Sequence, residues 1–310
     1  MRVIFMGTAE FAVPSLLALL AAGHSVVGVW ARVDKPSGRH YRLNACPVKQ
    51  TAIDRALPVF QPTSLRRPEA AAEIAALSPS AICVAAYGLI VPPEILCLPD
   101  LGCVNVHGSV LPRYRGAAPI HRAIMAGETW TGVTTMMMNA GLDTGDILLK
   151  VEEPIGEDDT YGEVHDRLAA RGAALLIQTL DLLERGECPR HVQNDGLACY
   201  AAPVTRDECR VEWSAPAQVV HNLVRGSSPR PGAFTWRSGE MLRVHRTRLS
   251  TSPAEGTPGE MQPLGKHHGP SVVCGLGSVE LVMVQPAGGK PMAGCDYLLG
   301  HPIQPGERLG

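Results

Sequence analysis

The chain has 310 residues, room for about two domains, and its 28 Lys and Arg against 30 Asp and Glu give a formal charge of −2. Bulk charge therefore gives no sign of a nucleic-acid binder, and any RNA contact must come from a local basic patch. Nine cysteines, Cys46, Cys83, Cys97, Cys103, Cys188, Cys199, Cys209, Cys274 and Cys295, lie scattered without a C-x-x-C pair, which argues against a zinc site and a disulfide framework and for a reducing compartment.

In chain order, Val3-Ile4-Phe5-Met6 reads as a buried strand, 11–22 as a helix ended by Gly23, and 25–30 as a second strand. No charged leader precedes an apolar core, and no apolar run reaches the ~18 residues of a bilayer span, so a soluble, cytoplasmic protein without a membrane partner is expected. The turn Gly7-Thr8-Ala9-Glu10-Phe11 lacks the second and third glycines of a dinucleotide fingerprint and reads as a tight strand-to-helix turn. Residues 32–44 form a basic loop that ordinary chain logic places on the surface. A further helix closes near Leu77, stopped by Pro79, before an apolar strand over 81–86. The alternation predicts a Rossmann-like α/β fold with a mostly parallel sheet, whose ligands sit beyond the carboxyl ends of the strands.

The segment 103–107 alternates apolar and polar residues ahead of Gly108, the pattern of a half-buried strand end, so Asn105 and His107 project from one face. Asp143 follows in Gly141-Leu142-Asp143-Thr144-Gly145-Asp146. An Asn amide can donate to a developing oxyanion, and a protonated His can add a charged donor. An Asp can hold that imidazole charged and take a proton from an attacking amine. With no obvious nucleophile among them, these groups suit direct acyl transfer to nitrogen through a tetrahedral intermediate. The bland alternative is a capped strand end and a surface turn.

Residues 161–183 carry an intermittent apolar stripe (Val164, Leu168, Leu175, Leu176, Leu183) and read as a helix, stopped by Gly186 and Pro189. The stretch 188–205 has little periodicity and reads as a linker. Beyond it, strand candidates at 233–236, 242–244, 271–273 and 279–284 are separated by Gly- and Pro-rich turns, which predicts a small all-β domain. That part carries 11 basic against 9 acidic side chains, and the first 205 residues 17 against 21. Arg237, Arg243, Arg246 and Arg248, interleaved with Trp236 and His245, are either a phosphate-tracking patch or a solvated strand face.

The run Asn105-Val-His-Gly-Ser-Val-Leu-Pro-Arg-Tyr-Arg-Gly-Ala-Ala-Pro-Ile120 and Gly141-Leu-Asp-Thr-Gly-Asp146 resemble the signature segments of the methionyl-tRNA formyltransferases, of the formyltetrahydrofolate-dependent formyltransferase superfamily. The likeness extends to Arg2-Val-Ile-Phe-Met-Gly-Thr-Ala-Glu-Phe11, to Asp34-Lys-Pro-Ser-Gly-Arg39 with Pro47-Val-Lys49, to Ala85-Ala-Tyr-Gly-Leu-Ile-Val-Pro92, and to Gln285-Pro-Ala-Gly-Gly-Lys290 near the end.

The resemblance implies a formyltransferase catalytic domain over 1–187, a linker over 188–205, and a tRNA-binding barrel of the oligonucleotide-binding type over 206–310. It implies Asn105, His107 and Asp143 as the catalytic groups and 10-formyltetrahydrofolate as formyl donor, with no metal. Leu89, Ile90 and Val91 would edge the pterin pocket, Asn139 and Ala140 would close it, and Ser109, Val110, Leu111 and Pro112 would line the cofactor cleft. Phe11 would wall the methionyl side chain, with Arg39 and Arg42 meeting the acceptor end of the initiator methionyl-tRNA, and the protein would act as a monomer. Two departures bear on the acceptor. His40 and Tyr41 replace the usual small residue and lysine after Arg39, and Ser227-Ser-Pro-Arg230-Pro-Gly lacks the aromatic many members carry before Pro-Gly. An N-formyltransferase acting on a nucleotide amino sugar or another small amine therefore stays open beside the tRNA enzyme. A non-catalytic tRNA- or folate-binding protein is disfavoured, because all three catalytic residue types are present.

Overall fold

Val3, Ile4, Phe5 and Met6 are fully excluded from solvent, and their strand lies in the interior of the first sheet. The computed structural model describes residues 1–37, 42–250 and 255–310. They form two compact units, the first comprising Met1–Gly116, Thr131–Glu153 and His165–Tyr200, the second Ala117–Trp130, Pro154–Val164 and Ala201–Gly310.

In the first unit the strands are β1 (Arg2–Gly7), β2 (Ser25–Trp30), β3 (Val59–Phe60), β4 (Ala81–Ala85), β5 (Cys103–His107), β6 (Trp130–Met137) and β7 (Ile147–Pro154), in the spatial order β7-β6-β5-β4-β1-β2-β3. The pairs β1–β2, β1–β4, β2–β3 and β4–β5 are parallel, and β5–β6 is antiparallel. Continuous apolar runs such as Ala81–Ala85, buried throughout, are what a sheet covered on both faces requires. The expected first helix is a 3-10 turn at Glu10–Ala12 running into Val13–Ala21, and Gly23 ends it with φ +78°. Trp30 stacks on Phe60 with ring centroids 4.2 Å apart, closing one end of a core that also holds Ile74, Ile82 and Ile95.

Helix Tyr161–Glu184 backs the strand that carries the candidate site. A Cβ on Gly172 would lie 2.7 Å from Val106 Cγ1, so the glycine lets the helix approach β5 closely. The hydroxyls of Thr135 on β6 and Thr179 on the helix lie 2.8 Å apart, and Thr179 also donates to Leu175 O at 2.7 Å. Both are fully buried, and this pairing keeps them from being costly unsatisfied groups.

The second unit is built on an antiparallel sheet of β8 (Ala233–Arg237), β9 (Glu240–Leu249), β10 (Met261–Gln262), β11 (Ser271–Val273), β12 (Ser278–Pro286) and β13 (Met292–Ala293). The order is β8-β9-β12-β11-β10, with β13 beside β12. The strands expected from the sequence are here, together with two helices that the strand pattern did not reveal, Ala217–Ser227 and Gly294–Gly300. Val220 and Val224 of the longer helix enter a core with Trp213, Val244, Val272, Leu281 and Val284. Its first turn follows Pro216 with no capping side chain, so no polar start signal marked it.

On that helix His221 is 1% exposed. Its Nε2 donates to Glu157 O at 3.1 Å and its Nδ1 accepts from the Thr247 hydroxyl at 2.9 Å, which is the neutral tautomer fully satisfied. Burial pushes its pKa down from the ordinary 6.5, with the Arg225 charge adding and the Glu157 carbonyl and Asp158 opposing. Below pH ~6.5 the unfolded chain takes up a proton that the folded chain resists, so stability is full above that value and declines as pH falls towards the depressed folded pKa. Urea unfolding across pH 5–7.5 should show this slope, and His221→Gln should flatten it.

Candidate active site

Asn105 and His107 leave the same face of β5 at its carboxyl end, while Cys103, Val104 and Val106 are buried. Asn105 pairs in register with Val84 of β4 and Met136 of β6, and His107 with Thr134 of β6. Asp143 comes back to them from the turn between β6 and β7. Its carboxylate Oδ2 lies 3.6 Å from His107 Nδ1 and accepts from the Gly116 backbone N–H at 2.9 Å. The other oxygen, Oδ1, lies 3.5 Å from Asn105 Nδ2. The two titratable side chains are well covered, His107 at 6% and Asp143 at 12% exposed.

His107 Nε2 lies 2.9 Å from the Tyr114 carbonyl, which can only accept, so Nε2 carries a hydrogen. Nδ1 faces the Asp143 carboxylate at 3.6 Å, just beyond hydrogen-bond length. Asn105 Nδ2, with one hydrogen towards Asp143 Oδ1, has a second to spare.

The turn that presents Asp143 is tightly determined. Asn139 Oδ1 accepts from Gly141 N at 3.0 Å and from the Thr144 hydroxyl at 2.8 Å, so this side chain shapes the turn. Asp143 has φ +51°, in the left-handed region. A Cβ on Gly145 would fall 1.7 Å from Met137 O, so only glycine fits there.

The residues expected along a cofactor cleft divide by exposure. Ile90 is 67% exposed and Leu142 59%, while Leu89 and Val110 are half-buried and Ala140 is exposed. Val91 is buried in the first unit's core, and Leu89 packs against that core from its edge. Ser109 and Leu111 are buried rather than open: the Ser109 hydroxyl donates to Arg113 O at 2.7 Å, and Leu111 packs with Met136 and Ile147. Thr134 fixes this segment by donating to Ser109 O at 2.7 Å and accepting from Leu111 N at 3.1 Å. Of the four residues from 109 to 112, Val110 and Pro112 keep some exposure. Met138 packs against both the core holding Val91 and the cluster holding Leu111, so the two segments converge on it.

Phe11 is 8% exposed and meets the His165 ring edge-on at 5.5 Å. Arg39 lies outside the described residues. Arg42 opens the short strand Arg42–Asn44, opposite Ser37, and its side chain is likewise outside what is described. At the base of that hairpin Asp34 bonds Lys49 Nζ at 2.5 Å and Gln61 Nε2 at 2.8 Å, and these hydrogen bonds lower its carboxyl pKa.

Sequence reasoning missed the Tyr114 carbonyl and the Gly116 N–H, because backbone groups carry no sequence signal. It also missed Gln193, in the presumed linker, whose Nε2 donates to Asp143 O at 2.8 Å. Among the described residues no group of three or more His, Cys, Asp or Glu is placed to hold a metal ion, and no helix is long and apolar enough to cross a membrane.

The proposed basic patch is partly dismantled by its partners. Arg237 is 8% exposed and bonded to both carboxylate oxygens of Glu307, at 2.8 and 2.9 Å, and to His301 O and Pro302 O. Arg246 pairs with Glu163 at 2.5 Å and Arg248 with Glu280 at 3.6 Å, while Arg243 is exposed. The half-buried Trp236 has the Arg210 guanidinium over its ring at 4.9 Å.

A family model described as formyl transferase matches residues 1–180, and one described as formyl transferase, C-terminal domain, matches 203–302. A parallel sheet with Asn, His and Asp meeting at a strand end, followed by an antiparallel domain, thus places the chain among the formyl transferases. It is similar in fold to the sugar 3-N-formyltransferase WlaRD, with TM-score 0.66 and 16% identity over 92% of this chain and 97% of that one. It is similar also to HypX from Aquifex aeolicus in complex with tetrahydrofolic acid, with TM-score 0.67 and 17% identity over 98% of this chain and 48% of that one. The methionyl-tRNA formyltransferase of Moorella thermoacetica is 49% identical over 310 residues, 100% of this chain and 99% of that protein. The chain belongs to the methionyl-tRNA formyltransferase family.

The placement of Arg237 has a measurable consequence. Removing one member of a buried ion pair strands the other, so Arg237→Ala should lose about 3–5 kcal/mol of stability in urea unfolding. Arg243→Ala should leave stability nearly unchanged.

Proposed function

We propose that this chain transfers a formyl group from 10-formyltetrahydrofolate to the α-amine of initiator methionyl-tRNA, with Asn105, His107 and Asp143 as its catalytic groups. The observation that carries the reading is the convergence of these three side chains within 3.6 Å, at the carboxyl end of a parallel-sheet strand, in a chain related over its whole length to methionyl-tRNA formyltransferases. Their chemistry needs no nucleophile from the protein.

The residues around the trio suit the folate donor, which supplies the formyl group. Ile90 and Leu142 each hold apolar surface in solvent and Leu89 is half-buried, as a flat heteroaromatic ring requires, and the backbone of 89–91 and 139–140 can meet its polar edge. Val110 and Pro112 fit the remaining wall, with Ser109 and Leu111 anchoring it from behind.

The acceptor amine attacks as the free base, so its proton must leave. Asp143 is the acceptor within reach of both Asn105 and His107, and it passes the proton towards the departing folate nitrogen. As the amine adds to the formyl carbon, charge builds on the formyl oxygen. Asn105 Nδ2 supplies the direct hydrogen bond there, and His107 supplies a positive charge held between Asp143 and the Tyr114 carbonyl. Losing a direct oxyanion donor costs ~10²–10³ in rate, which is the effect assigned to Asn105.

Phe11 provides an apolar wall for the methionyl side chain, and Arg39 and Arg42 provide cations for the acceptor end of the tRNA. The catalytic part spans 1–187, and the antiparallel domain from 206 onward adds RNA contacts through Arg243 and the Arg210–Trp236 pair. The enzyme acts as a cytoplasmic monomer.

Asp143→Ala should lower kcat by ~10²–10⁴, the range for general acid–base groups, with the Kd for the folate donor little changed. Near-normal turnover at saturation would rule the role out. The acceptor is tested by offering charged initiator tRNA beside a panel of small amines, including nucleotide amino sugars. Formylation of the tRNA alone is expected, and turnover of a small amine without the tRNA would overturn the assignment.

A further inference from the structure

Gln193 lies in the irregular stretch between the long helix and the second family match, yet it is only 8% exposed. Its amide is fully used. Nε2 donates to Asp143 O at 2.8 Å and to Gly145 O at 2.7 Å, and Oε1 accepts from Arg115 Nε at 3.0 Å. These partners are 48 to 78 residues away in the chain, so the side chain is a long-range tie and not a local turn element.

The segments it joins are the two that hold the Asp143 carboxylate. Arg115 sits between Tyr114, whose carbonyl faces His107 Nε2, and Gly116, whose N–H donates to Asp143 Oδ2. On the other side, Gln193 grips the backbone of residues 143 and 145 directly. The strap around it is itself anchored. His191 and Ile147 exchange both backbone hydrogen bonds at 2.9 Å, Arg115 bonds Asp195 at 2.7 Å, and Tyr114 N–H donates to Cys199 Sγ at 3.1 Å. The left-handed backbone at Asp143 costs of order 1 kcal/mol and persists only where the surroundings over-determine it. Two amide hydrogen bonds to the carbonyls on either side of Thr144 do that.

We infer that Gln193 is a positioning residue for formyl transfer, holding the Asp143 carboxylate against His107 and Asn105 while touching neither substrate. The inference rests on the catalytic reading of Asp143. A misplacement of about 1 Å of a reacting group costs on the order of 10²-fold, so loss of this tie should act on kcat and not on KM.

The test measures single-turnover and steady-state formylation of methionyl-tRNA by Gln193→Ala and Gln193→Glu, each in the wild-type and the Asp143→Asn backgrounds. Rates are referred to the folded fraction from near-UV circular dichroism. Gln193→Glu keeps the volume and the acceptor for Arg115 but, once ionised, cannot donate to the two carbonyls. Both variants should lower kcat about ten- to a hundredfold with KM for tRNA and for the folate donor unchanged. In the Asp143→Asn background the further loss should vanish, because the carboxylate being positioned is gone. Wild-type kcat per folded molecule in both variants, or an equal loss in both backgrounds, would overturn the inference. Wild-type kcat in Asp143→Asn alone would instead overturn the catalytic reading beneath it.

Discussion

The site depends on one backbone conformation, the left-handed turn at Asp143. Were residue 143 in an ordinary right-handed or extended conformation, the chain between β6 and β7 would follow another path and the carboxylate would leave the strand end. Asp tolerates φ near +51° better than most residues, because its short polar side chain can be satisfied locally. Here the satisfaction comes from Gly116 N–H, while Asn139 shapes the turn from inside and Gly145 permits its contact with Met137 O. The carboxylate is thereby held in a partly desolvated position where charge–charge and hydrogen-bond interactions are stronger than in water. In the proposed function such a position suits the carboxylate to act as a base beside an amide donor.

The opposite wall of the site is fixed by packing. β5 lies between a parallel neighbour and an antiparallel one, and Gly172 lets the long helix settle on Val106, between Asn105 and His107 in sequence. Because strand side chains alternate, pinning Val106 into the core on one face commits Asn105 and His107 to the other. A one-residue slip would turn both towards the helix-covered core and carry Val104 and Val106 to the other face, and the apolar interior makes that register costly. The helix interface thus sets the geometry of the strand that carries Asn105 and His107.

Much of this was legible in the sequence, and the division follows interaction range. The strands at 3–6, 25–30 and 81–86 announce themselves as apolar runs, and the alternation at 103–107 put Asn105 and His107 on one face. Asp143 was recognisable only by resemblance, since spacing alone cannot say that a turn 36 residues after His107 folds back onto it. Gln193 was invisible for the same reason and a further one. Its segment has no periodicity, because its order comes from side-chain bonds to distant carbonyls and not from a repeating ladder. Helix Ala217–Ser227 escaped because it begins after Pro216 without a polar cap and ends in Arg225-Gly226-Ser227, which reads as turn.

The basic cluster shows how composition misleads when partners are remote. Four arginines within twelve residues suggested a phosphate-tracking strand, but Glu307, Glu163 and Glu280 stand against three of them. The exposed Arg246–Glu163 pair is worth little, about 0–1 kcal/mol, so a phosphate can displace its carboxylate, whereas Glu280 beside Arg248 is buried and also bonded by Gly269 N–H. The acids still cancel most of the local field that would draw RNA in. Arg237 is withdrawn altogether, its guanidinium filled by Glu307 and two carbonyls. What the β8–β9 surface retains is Arg243 and the Arg210 guanidinium over Trp236, a footing suited to one or two contacts and a stacked base. In the proposed function, discrimination among acceptors then comes chiefly from groups nearer Asn105, His107 and Asp143. In the proposed function that role falls to the segment carrying Arg39 and Arg42, with His40 and Tyr41 between them.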